Sequence, residues 1–235
     1  MNMMKTEEKT TMPFPGLYDE QGHLSSSFKQ LELTERIHFG QEGIYCRDRD
    51  IEGKLVVPDY VKEISPWAFF GCRKLTEIQL PESITTIGQE AFYMCVSLKK
   101  INIPDMVTEI PFAAFTYCLS LTSLKLPAYL NRIKLRAFDG CHSLSRLKFP
   151  KDLKEIEKLA FYHCDHLKKI WLPDSLKKVE TAAFDHCEGL RIASVNSVTN
   201  IKKNAFPPHT LIEIRNSETG AVSQIVAEES EYMEV

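Results

Sequence analysis

The apolar positions of this chain recur in a block that returns every 23 residues. Prolines stand at Pro58, Pro81, Pro104, Pro127, Pro150 and Pro173. Ala-Phe pairs begin at Ala68, Ala91, Ala114, Ala137, Ala160 and Ala183, and cysteines follow at Cys72, Cys95, Cys118, Cys141, Cys164 and Cys187. Leucines at Leu75, Leu98, Leu121, Leu144, Leu167 and Leu190 complete the ladder. A degenerate seventh copy ends in Ala205-Phe206, with His209 where cysteine would stand. Each block reads Leu-x-x-Ile-x-Leu-Pro, then a polar stretch around one aliphatic residue, then isoleucine or valine, then Ala-Phe-x-x-Cys. The first piece, such as Leu98–Ile103, ends in the alternation of a strand, and the proline after it stops the strand because it has no N–H to donate. A piece such as Val107–Ile110 predicts a short second strand on the opposite wall. The Ala-Phe-x-x-Cys spacing predicts a short helix or 3₁₀ turn.

One such unit cannot bury its own apolar edge, but stacked units can, because each side chain then lies on its equivalent in the next turn. The predicted fold is therefore a repeat solenoid, a right-handed coil with a parallel β-sheet on one face, short second strands, and helical or 3₁₀ turns on the others. Ile87-Gly-Gln-Glu-Ala-Phe-Tyr-Met-Cys-Val-Ser-Leu-Lys-Lys-Ile-Asn-Ile-Pro104 and its copies resemble the BspA-like leucine-rich repeats, over roughly residues 46 to 214. The resemblance implies a bacterial or protozoal binding or adhesion protein, often secreted or at the cell surface. The glycine usual three residues before the phenylalanine pair's alanine is mostly replaced here, by Ser65, Pro111, Lys134, Glu157 and Glu180.

The pattern divides the chain into an unstructured segment over 1–22, a cap over 23–57, the solenoid over 58–214 and a loose acidic tail over 215–235. The cap is needed because an open terminal coil leaves an apolar face and a strand edge exposed, and a hairpin or strand pair is expected there. From Asn216 to Val235 there are five acids and no base. No apolar run approaches a membrane span. The polar start Met1–Thr11 has neither the basic opening nor the apolar run of a secretory leader, so the chain as given reads as cytoplasmic.

Charge changes the picture only locally. The chain carries 29 Lys and Arg against 32 Asp and Glu, a net charge of -3. The outward positions of six main strands nevertheless hold eight Lys or Arg and one acid among eighteen residues. Lys99, Lys100, Lys125, Arg146, Lys148, Lys168, Lys169 and Arg191 form this stripe, and Trp171 stands among them. Stacked like charges cost stability, so a face that keeps them points to an anionic partner surface, and an exposed tryptophan is the residue type most often found as an interface hot spot. These nine residues are the candidate partner-binding set, and the partner is expected to be a protein with an acidic surface.

The remaining chemistry is thin. A ladder with one cysteine per coil does not converge on a tetrahedral metal, and parallel thiols are poorly aimed for disulfides, so the cysteines read as small core residues. His163 and His186 share a repeat position, with His142 and His166 near them; a metal-dependent enzyme would have to be built on that pair. No nucleophile–base arrangement, Gly-rich phosphate loop or His-Glu-x-x-His is present. No catalytic residue, metal ligand or cofactor is expected. The expected function is a non-catalytic binding or adhesion module. Its rival is a polyanion binder for glycan or nucleic acid, the latter disfavoured because Trp171 is the single stacking platform on the face.

Overall fold

The computed structural model describes residues 51–227, together with the backbone of two preceding strands, β1 (Ile37–Gly40) and β2 (Gly43–Cys46). The expected unstructured segment 1–22, much of the cap over 23–57, and the acidic stretch from 228 lie outside the described residues. β1 and β2 pair antiparallel, Ile37 opposite Cys46, as a hairpin inside the expected cap.

Two walls of parallel strands follow. On the main wall lie β3 (Gly53–Val56), β5 (Leu75–Gln79), β7 (Lys100–Asn102), β9 (Ser123–Lys125), β11 (Arg146–Lys148), β13 (Lys169–Trp171), β15 (Ile192–Asn196) and β17 (Leu211–Arg215). On the second wall lie the two-residue strands β4 (Glu63–Ile64), β6 (Thr86–Ile87), β8 (Glu109–Ile110), β10 (Arg132–Ile133), β12 (Glu155–Ile156), β14 (Lys178–Val179) and β16 (Asn200–Ile201). Pairing is in register with the repeat, Ser123 opposite Arg146 and Arg132 opposite Glu155, so a step of one coil is a step of one strand. The last strand, β18 (Val222–Val226), runs antiparallel to β17 and occupies part of the segment expected to be loose. Its turn is tied by Asn216, whose Oδ1 accepts the N–H groups of Glu218 and Thr219.

The core is a set of columns. Phe69, Phe92, Phe115, Phe138, Phe161, Phe184 and Phe206 stack with ring centroids 4.9–5.4 Å apart and planes within 11° of parallel. That spacing is close to the separation of hydrogen-bonded strands, so the rings repeat because the backbone does. The cysteines form the next column. Beyond filling space, the five from Cys95 to Cys187 each donate a thiol hydrogen bond to the phenylalanine carbonyl of the preceding coil, as Cys118 Sγ does to Phe92 O at 3.2 Å and Cys141 Sγ to Phe115 O at 3.2 Å. Burial pushes the Cys118, Cys141 and Cys164 thiols well above their ordinary range, and the six cysteines of the described residues are all buried.

The expected helix or 3₁₀ turn is absent: no helix occurs among the described residues. Ala-Phe-x-x-Cys is instead a chain of tight turns, with Ala68 N–H bonding Ser65 O and Cys72 N–H bonding Phe69 O. The intervening donors reach sideways to the next coil, Trp67 N–H to Gln89 O, Phe69 N–H to Ala91 O and Gly71 N–H to Tyr93 O. A helix would need those N–H groups for its own carbonyls; the neighbouring coil has taken them. The geometry requires positive φ just before the alanine and just before the cysteine. Trp67, Glu90, Met94, Arg136, Leu159, His163 and His186 all adopt it, as do Gly71 and Gly140.

Each wall is interrupted once. On the second wall, the residue after each isoleucine donates to the preceding coil, as Gly88 does to Ile64 O and Lys134 to Ile110 O. At the step between β6 and β8 that residue is Pro111, which has no N–H, and the ladder breaks there. The main wall breaks between β11 and β13. Here Phe149 fills a position held elsewhere by leucine, isoleucine or valine, and its ring stands edge-on to Phe161 at 5.7 Å and Phe184 at 6.3 Å. The larger ring enters the core beneath the next two coils, and the strands part above it.

Two outcomes follow from this packing. Phe138→Ala, in mid-stack, is expected to cost about 3–5 kcal/mol in urea unfolding, because two ring contacts and a fully buried side chain are lost together. Cysteines 72, 95, 118, 141, 164 and 187 are expected to resist a thiol reagent in the native protein and to react together on unfolding; mass spectrometry of labelled peptides distinguishes them from Cys46.

Candidate binding face

The register of the main wall arranges its outward side chains in columns. One runs Lys54, Glu77 and Lys100 along paired positions, and Ser123 with Arg146, then Lys169, Ile192 and Leu211. A second runs Val56, Gln79, Asn102, Lys125 and Lys148, then Trp171, Ser194 and Glu213. Lys99, Lys168 and Arg191 lie just before these columns. All nine candidate residues are solvent-exposed, and Trp171 shows 56% of its surface. The structure departs from the outward reading at the last coil, where Ser194 is fully buried and Ile192 half-buried.

Ion pairs occur on both walls. On the second wall, Arg132 meets Glu155 of the adjoining strand at 3.1 Å, Lys134 meets Glu109 of the preceding coil at 2.7 Å, and Lys178 meets Glu180 of its own coil. On the main wall, Lys54 of β3 meets Glu77 of β5 at 3.2 Å. On the main face, Lys125 binds Asp105 at 3.2 Å and Arg191 donates to the Glu188 carbonyl. Lys99, Lys100, Arg146, Lys148, Lys168 and Lys169 make no ion pair among the described residues. Asp105 is held below the usual carboxylate range, first by the Ala128 N–H and then by Lys125.

Trp171 is braced on one side. The Arg215 guanidinium lies over its ring at 4.4 Å, pairs with Asp174 at 2.8 Å and donates to the Leu172 carbonyl. Asp174 is pulled below the ordinary range by the Asn196 amide first, and by Arg215. Arg215 belongs to β17, and its part in the site has no signal in the repeat, because its partners lie 41–44 residues earlier along the chain and two strands away. Ser194 Oγ and Arg215 Nε are buried there with no partner. Beside Trp171, over the opening between β11 and β13, is a hollow of about 620 Å³, lined by Phe149, Pro150, Pro173, Lys148 and Lys151 among others.

The histidines lie at the turn corner. His163 and His186 are neighbours, their ring centroids 4.8 Å apart and the planes tilted by 56°, with His142 5.9 Å beyond His163. Carboxylates accompany them, which the repeat spacing did not foretell: Asp165 stands 2.6 Å from His142 Nδ1 and 3.6 Å from His163 Nδ1, and Asp185 pairs with His186 at 3.2 Å. His142 and His163 thus share Asp165 while His186 faces Asp185, and among the described residues no three His, Cys, Asp or Glu side chains are placed to hold a metal ion. Asp139, in the same corner, has its carboxyl raised by burial, against the pull of Arg136, His163 and His142. The folded chain therefore holds that proton more tightly than the unfolded chain, so the residue's favourable contribution is present at acid pH and lost as pH rises through its folded value. Asp139→Asn is expected to melt above wild type at about pH 8 and to lose that advantage toward about pH 4, read by thermal unfolding across the range.

Comparison with known proteins bears on this face. The profile of the BspA type leucine-rich repeat region matches six copies over residues 50–133 and 108–225. Among solved structures, a leucine-rich repeat protein of T. pallidum superposes with a TM-score of 0.61 at 29% identity, covering 69% of this chain and 83% of its own. One from Bacteroides ovatus gives 0.60 at 27% identity, over 74% of this chain, which spans about half (52%) of that protein. One from Eubacterium ventriosum, at 22% identity and 0.52, shares the fold. No curated protein matches the sequence. With its repeats matched from the first coil to the last strand, the chain belongs to the BspA type leucine-rich repeat family, whose coil typically serves as a binding or adhesion module.

Proposed function

We propose that this protein is a non-catalytic binding module that recognises a protein partner with an acidic surface through the outer face of its main wall. The observation that carries the reading is the set of six cations, Lys99, Lys100, Arg146, Lys148, Lys168 and Lys169, that stand exposed on the main face without an ion pair among the described residues, in three adjacent rows beside Trp171. Exposed like charges gathered on one face repel one another, and nothing in the packing of the core requires them. An anionic surface laid across the face relieves that repulsion over several coils at once. Trp171, rigidly braced by Arg215, supplies apolar area at the centre of such a contact.

The same cations also favour a sulfated glycan or nucleic acid, the second reading. Counterion release distinguishes the two: a polyanion held by several of these residues loses affinity steeply and linearly in log salt. A protein partner seated on Trp171 keeps part of its affinity at high salt.

The test is capture of partners by wild type and by Lys148→Glu, Lys169→Glu, Trp171→Ala in one chain. Because all three side chains are exposed, the variant is expected to melt near wild type while affinity for the partner falls roughly ten-fold or more. Equal recovery of partners by two equally folded proteins removes the assignment to this face.

A further inference from the structure

The last strand closes the main wall with an open edge. We infer that β18 pairs antiparallel with β18 of a second copy of this chain, about a two-fold axis through Gln224, so that two solenoids join end to end through one continuous sheet. The inference goes beyond the binding reading and does not depend on it.

The free edge follows from the pairing of β18 with β17. Ala227 N–H donates to Thr210 O and Asn216 N–H to Ala221 O, just outside the two ends of a register that runs from Leu211 opposite Val226 to Arg215 opposite Val222. Bonded and non-bonded pairs alternate in an antiparallel ladder, so Ser223 and Ile225 direct their backbone groups to β17. The N–H and C=O groups of Val222, Gln224 and Val226 point the other way, and among the described residues those N–H groups have no acceptor. Three donors and three acceptors at alternate positions are what a further strand needs. Sheet edges that face water are ordinarily blunted by a charge, a proline or a bulge. Val222-Ser-Gln-Ile-Val226 has no charge and no proline, and its register with β17 is unbroken. Val222 and Val226 show 60% and 55% of their surface.

A second copy suits this edge because the edge is complementary to itself. With Gln224 on the axis, Val222 of one copy lies opposite Val226 of the other, and Gln224 lies opposite its own equivalent. Each of these pairs exchanges two backbone bonds, and the exposed valines cover one another on the outer face. No charged side chain stands on β18 to oppose the approach. On the inner side, the coil ends in an apolar hollow of about 260 Å³, lined by Val195, Ile201, Ile212, Ile214, Ile225 and the exposed Val198 among others. A terminal coil needs cover there, and the two-fold brings the open ends of the two hollows together. The axis stands normal to the sheet, so both outer faces point to the same side. Trp171 is level with Gln224 through Ser194 and Glu213. The two Trp171 side chains therefore face the same way across eight strands, about 34 Å apart along the sheet at about 4.8 Å per strand.

Sedimentation velocity of the full-length chain, from about 1 to about 200 µM, is expected to show monomer passing to dimer by mass action. Hydrogen exchange at the amides of Val222, Gln224 and Val226 is expected to slow over the same range, while those of Ser223 and Ile225 stay protected throughout. Val222→Lys with Val226→Lys sets like charges opposite one another at both ends of the contact and is expected to weaken the dimer roughly ten-fold or more. Val222→Lys with Val226→Glu sets opposite charges there and is expected to associate at least as tightly as wild type. Gln224→Pro removes a donor that β17 does not use, so it is expected to melt near wild type and to weaken the dimer roughly ten-fold. A chain that stays monomeric throughout overturns the inference, as does a dimer that neither the double-lysine nor the proline variant weakens. Protection of the three amides that does not vary with concentration also overturns it, because the edge would then be covered from within the chain. A lysine–glutamate variant weakened as far as the double-lysine variant overturns the antiparallel register.

Discussion

Everything in this molecule depends on backbone groups of one coil bonding to the next at a constant step. The sideways bonds from Trp67, Phe69 and Gly71 to the following coil set the rise, and the phenylalanine rings then stack about 5 Å apart because their Cα atoms do. The same step places the thiols of Cys95, Cys118, Cys141, Cys164 and Cys187 under the phenylalanine carbonyl of the preceding coil. That carbonyl already accepts the N–H of its own coil's cysteine, so its second lone pair finds a donor too. The column is thus both apolar filling and a line of satisfied hydrogen bonds, which a ladder of alanine would not provide.

Holding that step has a conformational cost. Two residues in each of the six complete turn corners take positive φ, and most are not glycine. None of the eleven non-glycine residues in this conformation is β-branched, the class for which it is least tolerable. The strain is accepted because the backbone bonds and ring stack on either side leave the corner no other path. Where local chemistry defeats the step, the ladder opens. Pro111 removes a donor on the second wall, and the Phe149 ring parts β11 from β13 on the main wall. The second opening lies beneath Trp171 and Lys148, so the defect in packing and the most distinctive surface feature occupy one place.

Function is carried by what the repeat leaves free. Core columns are fixed by stacking, whereas six exposed cations of the main face have no ion pair among the described residues. They are presented in rows spaced by the strand separation, an arrangement suited to an extended anionic surface and poorly suited to a small ligand needing convergent groups. The histidine corner is the nearest approach to convergent chemistry, and there two rings share Asp165 while the third faces Asp185.

The sequence by itself determined the solenoid, its 23-residue step, the identity of every core column and the nine exposed residues of the main face. These follow from periodicity, since a residue's place in the coil is its place in the repeat. It misplaced the character of the turn corner, because the spacing of Ala-Phe-x-x-Cys fits one helical turn, and only the neighbouring coil's carbonyls decide where the N–H groups go. It also missed β18, whose residues fall outside the repeat and are ordered by the open edge of β17. Arg215 over Trp171, the burial of Ser194, the acids beside the histidines and the hollow above Phe149 were likewise decided by tertiary structure. Each joins residues more than one side-chain position apart on different coils, and a periodic pattern records what is the same in every turn, not what a single turn does differently.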